Sequence, residues 1–247
     1  MGRLDQALVE RGLCDSREQA KRAILAGKVR INQQLAQKAS ETVKTEDQLT
    51  LAAPEKFVSR GGFKLEHALN HFGIDVGGLR AVDLGASTGG FTDCLLQRGA
   101  ARVYAVDVGQ GQLAWKLRRD PRVVVMEKTN ARTLTPLQFP PPFEPVDLAV
   151  IDCSFISLRK ILPAAIALLK SSARIVALIK PQFEAGKAEA DKGAGVIRDP
   201  EIHQRVLSEL EEFVAGRPEL KWQSVVESPL LGPAGNKEFL ALIEKTG

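Results

Sequence analysis

A short apolar strand that leads into a glycine-rich turn and then into an amphipathic helix is the feature that most limits how this chain can fold. It is the stretch AVDLGASTGGFTDCLLQRG, residues 81–99. The AVDL segment is typical of a buried parallel strand, and Gly85, Gly89 and Gly90 let the backbone turn sharply and approach a ligand closely. From Thr88 onward the apolar residues have helical spacing, so N–H groups at the helix start would face the ligand. The pattern predicts the nucleotide crevice of an α/β protein.

A second strand supplies an acidic residue that suits this crevice. Residues Arg102–Val106 predict a buried strand that ends at Asp107, about 20 residues beyond the glycines. At that distance a carboxylate can accept hydrogen bonds from both hydroxyls of a ribose. Asp83, at the end of the first strand, gives the crevice a second acidic group.

The spacing of the glycines separates the candidate ligands. The sequence DLGASTGG lacks the lysine with which a P-loop holds phosphates, which argues against ATP. Ser87 occupies the place of the second glycine of GxGxxG, the glycine that lets a dinucleotide approach the backbone. S-adenosylmethionine, which has a ribose but no phosphate, suits the pattern best, and a dinucleotide, another nucleotide or a purely structural turn are the alternatives. The predicted cofactor-binding residues are Asp83, Gly85, Ser87, Thr88, Gly89, Gly90, Asp107 and Asp152.

Composition is that of a globular protein of the cytosol. The 247 residues suffice for one large domain and a small one, and the net charge of +4 permits nucleic-acid binding without establishing it. The N-terminus lacks an apolar core of signal-peptide length, and the apolar runs are too short to cross a bilayer, so we expect a cytoplasmic protein without membrane association. Three separated cysteines predict reduced thiols, and we expect no metal site, since only His67 and His71 have a spacing suited to ligands.

The first 52 residues predict a separate, small α+β unit. Leu4–Arg11 has the pattern of a short helix. Ser16 is expected to cap a second helix, with Gln19 as its capping partner. Residues 28–32 and 48–51 predict short strands joined by polar turns.

The second helix of this unit carries basic side chains at one-turn spacing, which can contact successive phosphates; a solvated charged face is the alternative. The segment RLDQALVERGLCDSREQAKRAILAGKVRIN, followed by EDQLTL, resembles an S4 RNA-binding domain over nearly its full length. That resemblance implies that basic residues of the helix and of the following strand contact RNA backbone. The predicted RNA-binding residues are Arg3, Arg17, Lys21, Arg22, Lys28 and Arg60.

The rest of the chain alternates strand and helix patterns, which is typical of a doubly wound parallel sheet. Strands are predicted near Ala81, Arg102, Val123, Val146 and Ile175. A closing hairpin with one antiparallel strand is predicted from the apolar segments 224–226 and 239–243. The expected boundaries are 1–52 for the small domain, 53–60 for a linker and 61–247 for the large domain.

Charged residues stand at strand ends of the predicted sheet, where ligands of open α/β sheets bind. Asp152 ends the strand LAVID and Lys180 ends IVALIK, while Lys64 lies in SRGGFKLEHAL at a helix start and Glu238 begins the last strand. The order Lys, Asp, Lys, Glu resembles that of FtsJ/RrmJ-type RNA ribose 2′-O-methyltransferases. With the S4-like segment and the phrases DLGASTGGFTD, VIDCSFISL and IKPQFEAGK, the whole chain resembles the TlyA/hemolysin A family.

The resemblance implies a Rossmann-like, S-adenosylmethionine-dependent methyltransferase that methylates a cytidine 2′-hydroxyl of ribosomal RNA. It implies a catalytic set of Lys64, Asp152, Lys180 and Glu238. We expect Lys180 to act as the base or to orient the hydroxyl, and Asp152 to fix Lys180 near the methyl group. Lys64 and Glu238 would support the hydroxyl and the network, and no metal is needed.

The short termini favour large-subunit rRNA as the substrate, with small-subunit rRNA as the alternative; ribosomal RNA or ribosomal subunits are the expected partners. Two other functions compete with methyl transfer. A non-catalytic RNA-binding protein would not need S-adenosylmethionine. A membrane-lytic toxin would need a membrane-spanning or strongly amphipathic exposed segment, which the sequence does not indicate. A pseudouridine synthase, a further enzyme class to consider, can also carry an S4 domain, but its chemistry needs no such nucleotide crevice.

Overall fold

The chain forms two compact units, Met1–Lys56 and Phe57–Gly247. The computed structural model describes residues 1–52, 55–186, 189, 191 and 193–247. One cluster of buried apolar side chains forms the core of the first unit, and two clusters form that of the second.

The first unit is a small α+β fold with the predicted helices and strands. Its elements are β1 (Gly2–Arg3), α1 (Leu4–Glu10), α2 (Arg17–Leu25), β2 (Val29–Ile31), β3 (Gln34–Leu35), β4 (Thr42–Val43) and β5 (Leu49–Leu51). β2 pairs antiparallel with both β3 and β5, and β1 pairs with β4. The Ser16 hydroxyl caps α2 by accepting the N–H of Gln19 at 3.2 Å. The Gln19 side chain accepts the N–H of Asp15, one residue earlier than a capping box requires.

Asp5 is a buried carboxylate that ties the start of α1 to α2. It accepts hydrogen bonds from the guanidinium groups of Arg3 at 3.0 Å and Arg17 at 2.9 Å. The hydrogen bond from Arg3, helped by Arg17, lowers the pKa of Asp5 to about 2 against the opposing effect of burial. The two half-exposed arginines are therefore held by the protein itself.

The second unit is a three-layer α/β/α fold. Its elements are α3 (Gly61–His71), β6 (Arg80–Leu84), α4 (Gly90–Gln97), β7 (Arg102–Val106), α5 (Trp115–Arg118), β8 (Val123–Met126), β9 (Val146–Ile151), α6 (Leu158–Ala167), β10 (Leu169–Ile179), α7 (Pro181–Glu184), α8 (Pro200–Ala215), β11 (Leu220–Glu227) and β12 (Phe239–Lys245). Leu65 of α3 and Leu95 of α4 belong to one core cluster, and Leu162 of α6 and Leu210 of α8 belong to the other. Because helices cover both faces, the central strands are apolar on both sides, as the AVDL segment predicted.

The sheet has seven strands in the order β11-β12-β10-β9-β6-β7-β8. β12 is antiparallel to both of its neighbours, and the remaining neighbouring pairs are parallel. The predicted doubly wound sheet with one antiparallel closing strand is confirmed. The strand order reverses between β6 and β9, because the chain continues from β6 to β7 and β8 on one side and resumes with β9 on the other. Such a switch point leaves a crevice at the carboxyl ends of the strands.

Packing of the second unit begins before its first helix. Phe57 is 2% exposed, and its ring packs edge-on against Phe63 with centroids 5.1 Å apart. The N–H of Val58 donates to the Asp93 carboxylate of α4 at 2.8 Å. Residues 57–60, which the sequence assigned to a linker, thus pack with the second unit. Of that expected linker, residues 53 and 54 lie outside the described residues.

The helix after the glycine turn begins at Gly90, two residues later than the sequence predicted at Thr88. Ser87 and Gly89 have φ angles of +50° and +95°, and residues in this left-handed region interrupt a right-handed helix. A Cβ atom on Gly89 would also lie 2.8 Å from a methyl carbon of Leu113. The turn therefore needs glycine at position 89 for conformation and for space.

Replacing Asp5 by Asn tests whether this buried carboxylate stabilises the first unit through its charge. A carboxyl with a folded pKa of about 2 and an unfolded pKa of about 3.9 contributes stability that is present above the unfolded value and is lost as the pH falls through the folded one. We expect Asp5→Asn to lower the unfolding temperature of the first unit at neutral pH. The difference from the unchanged protein should shrink as the pH falls from about 4 to about 2. Calorimetric scans over this pH range measure it.

Glu18→Gln is the matched control, because Glu18 is an exposed carboxylate that pairs with Lys21 at 2.9 Å. Exposed ion pairs contribute little to stability, so this variant should unfold close to the unchanged protein at each pH. An Asp5→Asn difference that stayed constant down to pH 2 would show that the Asp5 charge contributes nothing.

Candidate active site

Two backbone segments meet at the switch point of the sheet. The N–H of Asp152, directly after β9, donates to the carbonyl of Leu84 at the end of β6, at 2.9 Å. Gly85 has a φ of +89°, and a Cβ there would lie 2.7 Å from the Asp152 carbonyl oxygen. Only glycine fits this contact, which sets the glycine turn beside Asp152.

Two cavities open at this point and share four lining residues. The first, of about 290 Å³, includes residues of α3 and of the segment before β12, and the second, of about 450 Å³, includes residues that follow β7. The shared residues are Gly85, Ser87, Asp152 and Ser154. An elongated ligand can therefore extend from one cavity into the other along the glycine turn.

The predicted cofactor-binding residues divide into those that line a cavity and those that support it. Gly85, Ser87, Thr88, Gly90 and Asp152 line the first cavity, and Asp107 lines the second. Asp83 and Gly89 are not lining residues of either cavity. At Gly89 the reason is conformational, since this residue forms the turn into α4.

Asp83 lies beneath the glycine turn, a correction to the direct cofactor contact that the sequence suggested. Its carboxylate is fully buried and accepts the hydroxyl of Thr92, in α4, at 2.7 Å. Burial raises the pKa of Asp83 to about 7, although the hydrogen bonds from Thr92 oppose the shift. The side chain points into the packing between β6 and α4, so it fixes the start of that helix.

Asp107 stands at the end of β7, in the second cavity. Its carboxylate accepts the backbone N–H of Ser87 at 2.8 Å and that of Gly109 at 2.7 Å. These bonds hold the carboxylate against the glycine turn, and its remaining lone pairs are available to a ligand. Val108, 75% exposed, and Asn130 line the same cavity, so an apolar and a polar group flank the carboxylate.

The four charged residues predicted from strand and helix ends all line the first cavity. The ammonium of Lys64 pairs with the carboxylate of Glu238, and the Nζ of Lys180 lies 2.6 Å from an oxygen of Asp152. Lys64, Lys180 and Glu238 are each buried. Because a buried charge is costly unless it is paired, the two ion pairs make this group of charges compatible with a folded interior.

Ser154 and Phe155 are parts of the site that the sequence did not reveal. The Ser154 hydroxyl accepts a hydrogen bond from the Nζ of Lys180 at 2.9 Å. Phe155 is 90% exposed, lines the second cavity, and has a φ of +63°, which is uncommon for a bulky residue. Their position after a predicted strand was a signal that they lie near the ligand, but it did not indicate which side chain reaches Lys180.

Glu184 joins the two loops that carry these groups. Its carboxylate accepts the Ser157 hydroxyl at 2.6 Å and the N–H of Leu158 at 2.7 Å, both at the start of α6. Burial raises the pKa of Glu184. Because α7 follows directly after Lys180, this contact connects the loop after β9 to the strand end that carries the lysine.

The predicted RNA-binding residues occur in both units. Arg22 and Lys28 line a groove of about 660 Å³ in the first unit, and neither has a carboxylate partner among the described residues. Arg60 lines the first cavity of the second unit. The others form ion pairs, Arg3 and Arg17 with Asp5 and Lys21 with Glu18.

Two further observations concern metal binding and membrane-spanning helices. Within the described ranges, no three His, Cys, Asp or Glu side chains are grouped so that they could hold a metal ion. The same part of the chain contains no helix that combines the length and the apolar character required to cross a bilayer. Cys14, Cys94 and Cys153 are not joined by disulfides in the part of the chain that the structure describes.

Comparison with known proteins shows which family each of the two units matches. Residues 57–245 match the FtsJ-like methyltransferase family, and residues 2–49 match the S4 domain. The 16S/23S rRNA (cytidine-2′-O)-methyltransferase TlyA of Mycobacterium tuberculosis is 51% identical over 243 residues, which are 96% of this chain and 87% of the relative. YqxC of Bacillus subtilis is 49% identical over 239 residues, 96% of this chain and 84% of the relative.

A solved structure extends the similarity to three dimensions. A Streptococcus thermophilus protein that carries the name hemolysin is 44% identical, with a TM-score of 0.75, over 99% of this chain and 88% of that protein. Both units are thus shared with relatives at high identity and over nearly the whole chain. The chain therefore belongs to the TlyA/hemolysin A family, in which an S4 domain precedes an FtsJ-like methyltransferase domain.

Proposed function

We propose that this protein transfers the methyl group of S-adenosylmethionine to the 2′-hydroxyl of a cytidine in ribosomal RNA. The observation that carries the proposal is the convergence of Lys64, Asp152, Lys180 and Glu238 on one cavity that opens onto the glycine turn. A binding protein without catalysis has no need of two ion pairs with buried lysines beside a nucleotide crevice.

The residues present fit S-adenosylmethionine. Asp107 offers carboxylate oxygens for the ribose hydroxyls, and the apolar surface of Val108 suits an adenine ring in the same cavity. α4 begins at Gly90 without a side-chain cap among the described residues, which leaves N–H groups for the carboxylate of the methionine end. The shared lining of the two cavities lets one ligand occupy both.

The chemistry needs an oxygen nucleophile held in line with the methyl carbon. S-adenosylmethionine, when bound, supplies a methyl group on a positively charged sulfur. The ribose oxygen forms a bond to this carbon while the bond from carbon to sulfur breaks, so most of the acceleration comes from orientation. Lys180, fixed by Asp152 and Ser154, is in our proposal the group that orients the hydroxyl as an ammonium, or, after losing one proton to solvent, accepts the hydroxyl proton on its neutral amine. Lys64, paired with Glu238, holds the opposite side of the acceptor.

The S4 match and the name of the 51% identical relative support ribosomal RNA as the substrate. That name includes RNA of both subunits, and we propose the large-subunit RNA as the main target, with the small-subunit RNA tested beside it. Phe155, exposed at the cavity mouth, offers an aromatic face for the nucleobase. An enzyme that acts on ribosomal RNA is expected in the cytoplasm.

Asp107→Ala tests the ribose contact. Loss of a charged acceptor should weaken S-adenosylmethionine binding by about 1.5 to 3 kcal/mol. Titration calorimetry on the full chain measures the affinity. Asp75→Ala is the matched control, because Asp75 is an exposed aspartate that also accepts a loop N–H, from Gly77 at 3.0 Å, but lies before β6 rather than after a strand. Equal affinities for the Asp107 and Asp75 variants would mean that the ribose is held elsewhere.

Lys180→Ala tests the catalytic group. We expect it to abolish nearly all methyl transfer, and the addition of Lys64→Ala to cost far less than Lys64→Ala costs alone, because groups that act together give non-additive losses. Lys180→Arg should also fail, since a guanidinium does not release its proton near neutral pH. The measurement is single-turnover transfer of labelled methyl to an rRNA fragment.

Two controls make this result specific. Lys170→Ala removes a lysine that also pairs with an aspartate, at 2.5 Å, but stands near the opposite end of β10, so transfer should be unchanged. A fragment with 2′-deoxycytidine at the target should accept no methyl. Substantial transfer by Lys180→Ala, or any to the deoxy fragment, would contradict methylation of the ribose.

The double variant Arg22→Ala, Lys28→Ala tests RNA docking by the first unit. It avoids Arg17, whose removal would also leave the buried Asp5 short of a partner. We expect weaker binding of rRNA and a salt dependence flatter by about 1 to 2 in slope, with unchanged affinity for S-adenosylmethionine. Binding assays over a salt series measure it, and an unchanged slope would assign this unit another role.

A further inference from the structure

An exposed tryptophan with a cation over its ring lies outside both cavities. Trp115, at the start of α5, is 71% exposed and is one of only two tryptophans in the chain. The guanidinium carbon of Arg119 lies 6.0 Å from the centroid of its ring. A large aromatic face left open to solvent beside a cation is suited to stacking against a flat, electron-rich group.

α5 is fixed directly behind the glycine turn. The N–H of Ala114 donates to the carbonyl of Thr88 at 3.1 Å. Leu113 and Leu117 pack against Gly89, where they would meet an added Cβ. Trp115, next to Ala114, is therefore carried by an element whose position is set by the nucleotide crevice.

A second set of contacts connects α5 to the segment that carries Arg60. The Nζ of Lys116 pairs with the Asp93 carboxylate at 2.9 Å, and the same carboxylate accepts the N–H of Val58. Arg60, two residues after Val58, lines the first cavity. Asp93 thus connects α5 to the segment that leads to Arg60.

The charges around Trp115 leave an uncompensated cation. Acidic groups nearby are already paired, Asp93 with Lys116, Glu127 with Arg118 and Asp120 with Arg122. Arg119 is exposed and has no carboxylate partner in the described part of the chain. Its charge is available to an anionic partner.

We propose that Trp115 and Arg119 form a stacking site for an unpaired nucleotide of the substrate RNA, outside the methyl-transfer cavity. The indole stacks on the base, and the guanidinium contacts the adjacent phosphate. The inference rests on the proposed RNA substrate and adds a second point of RNA contact on the methyltransferase unit. A nucleotide is the occupant favoured here because it presents both a flat base and a negative charge.

The fluorescence of Trp115 reports on this contact. In a full-length Trp222→Phe variant Trp115 is the remaining tryptophan. A short single-stranded oligocytidylate should quench its emission, and a fully paired, blunt-ended RNA duplex should not, because paired bases are not free to stack. Absence of quenching by the single strand, at concentrations at which it binds, would overturn the proposal.

Affinities for oligocytidylate distinguish the contribution of Trp115 from that of Arg119. Trp115→Ala should weaken oligocytidylate binding about tenfold with no change in salt slope, and Trp115→Phe should restore most of the loss. Arg119→Ala should reduce the salt slope by about 1. Arg102→Ala should not, because Arg102 is an exposed arginine at the amino end of β7, whereas the cavities lie at the carboxyl ends of the strands. Affinity for S-adenosylmethionine should be the same in all four variants, which verifies the fold.

The outcomes distinguish this inference from the proposed function. If the unchanged protein methylates rRNA but Trp115→Ala and Arg119→Ala bind RNA normally, the stacking site is wrong and the proposed function stands. If the unchanged protein binds no RNA, both fail.

Discussion

The backbone contact between Gly85 and Asp152 is the constraint on which the site depends. It joins the strands on the two sides of the switch point, and it leaves no room for a side chain at position 85. Because these segments touch, the glycine turn, Asp107 at the end of β7 and Asp152 at the end of β9 border two adjoining cavities that share four lining residues. A side chain at position 85 would collide with the Asp152 carbonyl and disturb this arrangement.

Two ion pairs, in which three of the four residues are buried, determine the charge distribution of the first cavity. Lys180 with Asp152 and Lys64 with Glu238 come from four different elements, so their side chains keep fixed positions only while the whole carboxyl edge is assembled. Removal of Asp152, or of either member of the Lys64–Glu238 pair, leaves a buried charge without its partner, which is costly. Charge balance therefore connects the site to folding. Ser154 adds a hydrogen bond to Lys180, and Glu184 separately connects α7 to the start of α6.

The sequence predicted the sheet, its antiparallel last strand and the convergence of the charged residues, because strand ends of a parallel sheet meet at one edge. It did not predict that Asp83 faces Thr92 in the core, since the direction of a side chain one residue before a strand end depends on how α4 packs. α4 starts later than predicted because Ser87 and Gly89 adopt left-handed backbone conformations. A glycine indicates that such a conformation is possible, but a serine does not. Likewise the sequence predicted that the basic residues of α2 form one RNA-binding face. Arg17 instead donates to the buried Asp5, which lies twelve positions earlier in the chain.

Mapping of ribose methyl groups tests the central claim, that this carboxyl edge methylates a cytidine 2′-oxygen of ribosomal RNA. Both rRNAs would be isolated from cells with the protein, without it, and with the Lys180→Ala variant, and analysed by mass spectrometry of defined fragments. A 2′-O-methylcytidine of the large-subunit rRNA should be present in cells with the unchanged protein. It should be missing in cells without the protein and in cells with the Lys180→Ala variant. Identical ribose methylation in all three strains, or loss of a methyl group from a base, would contradict it.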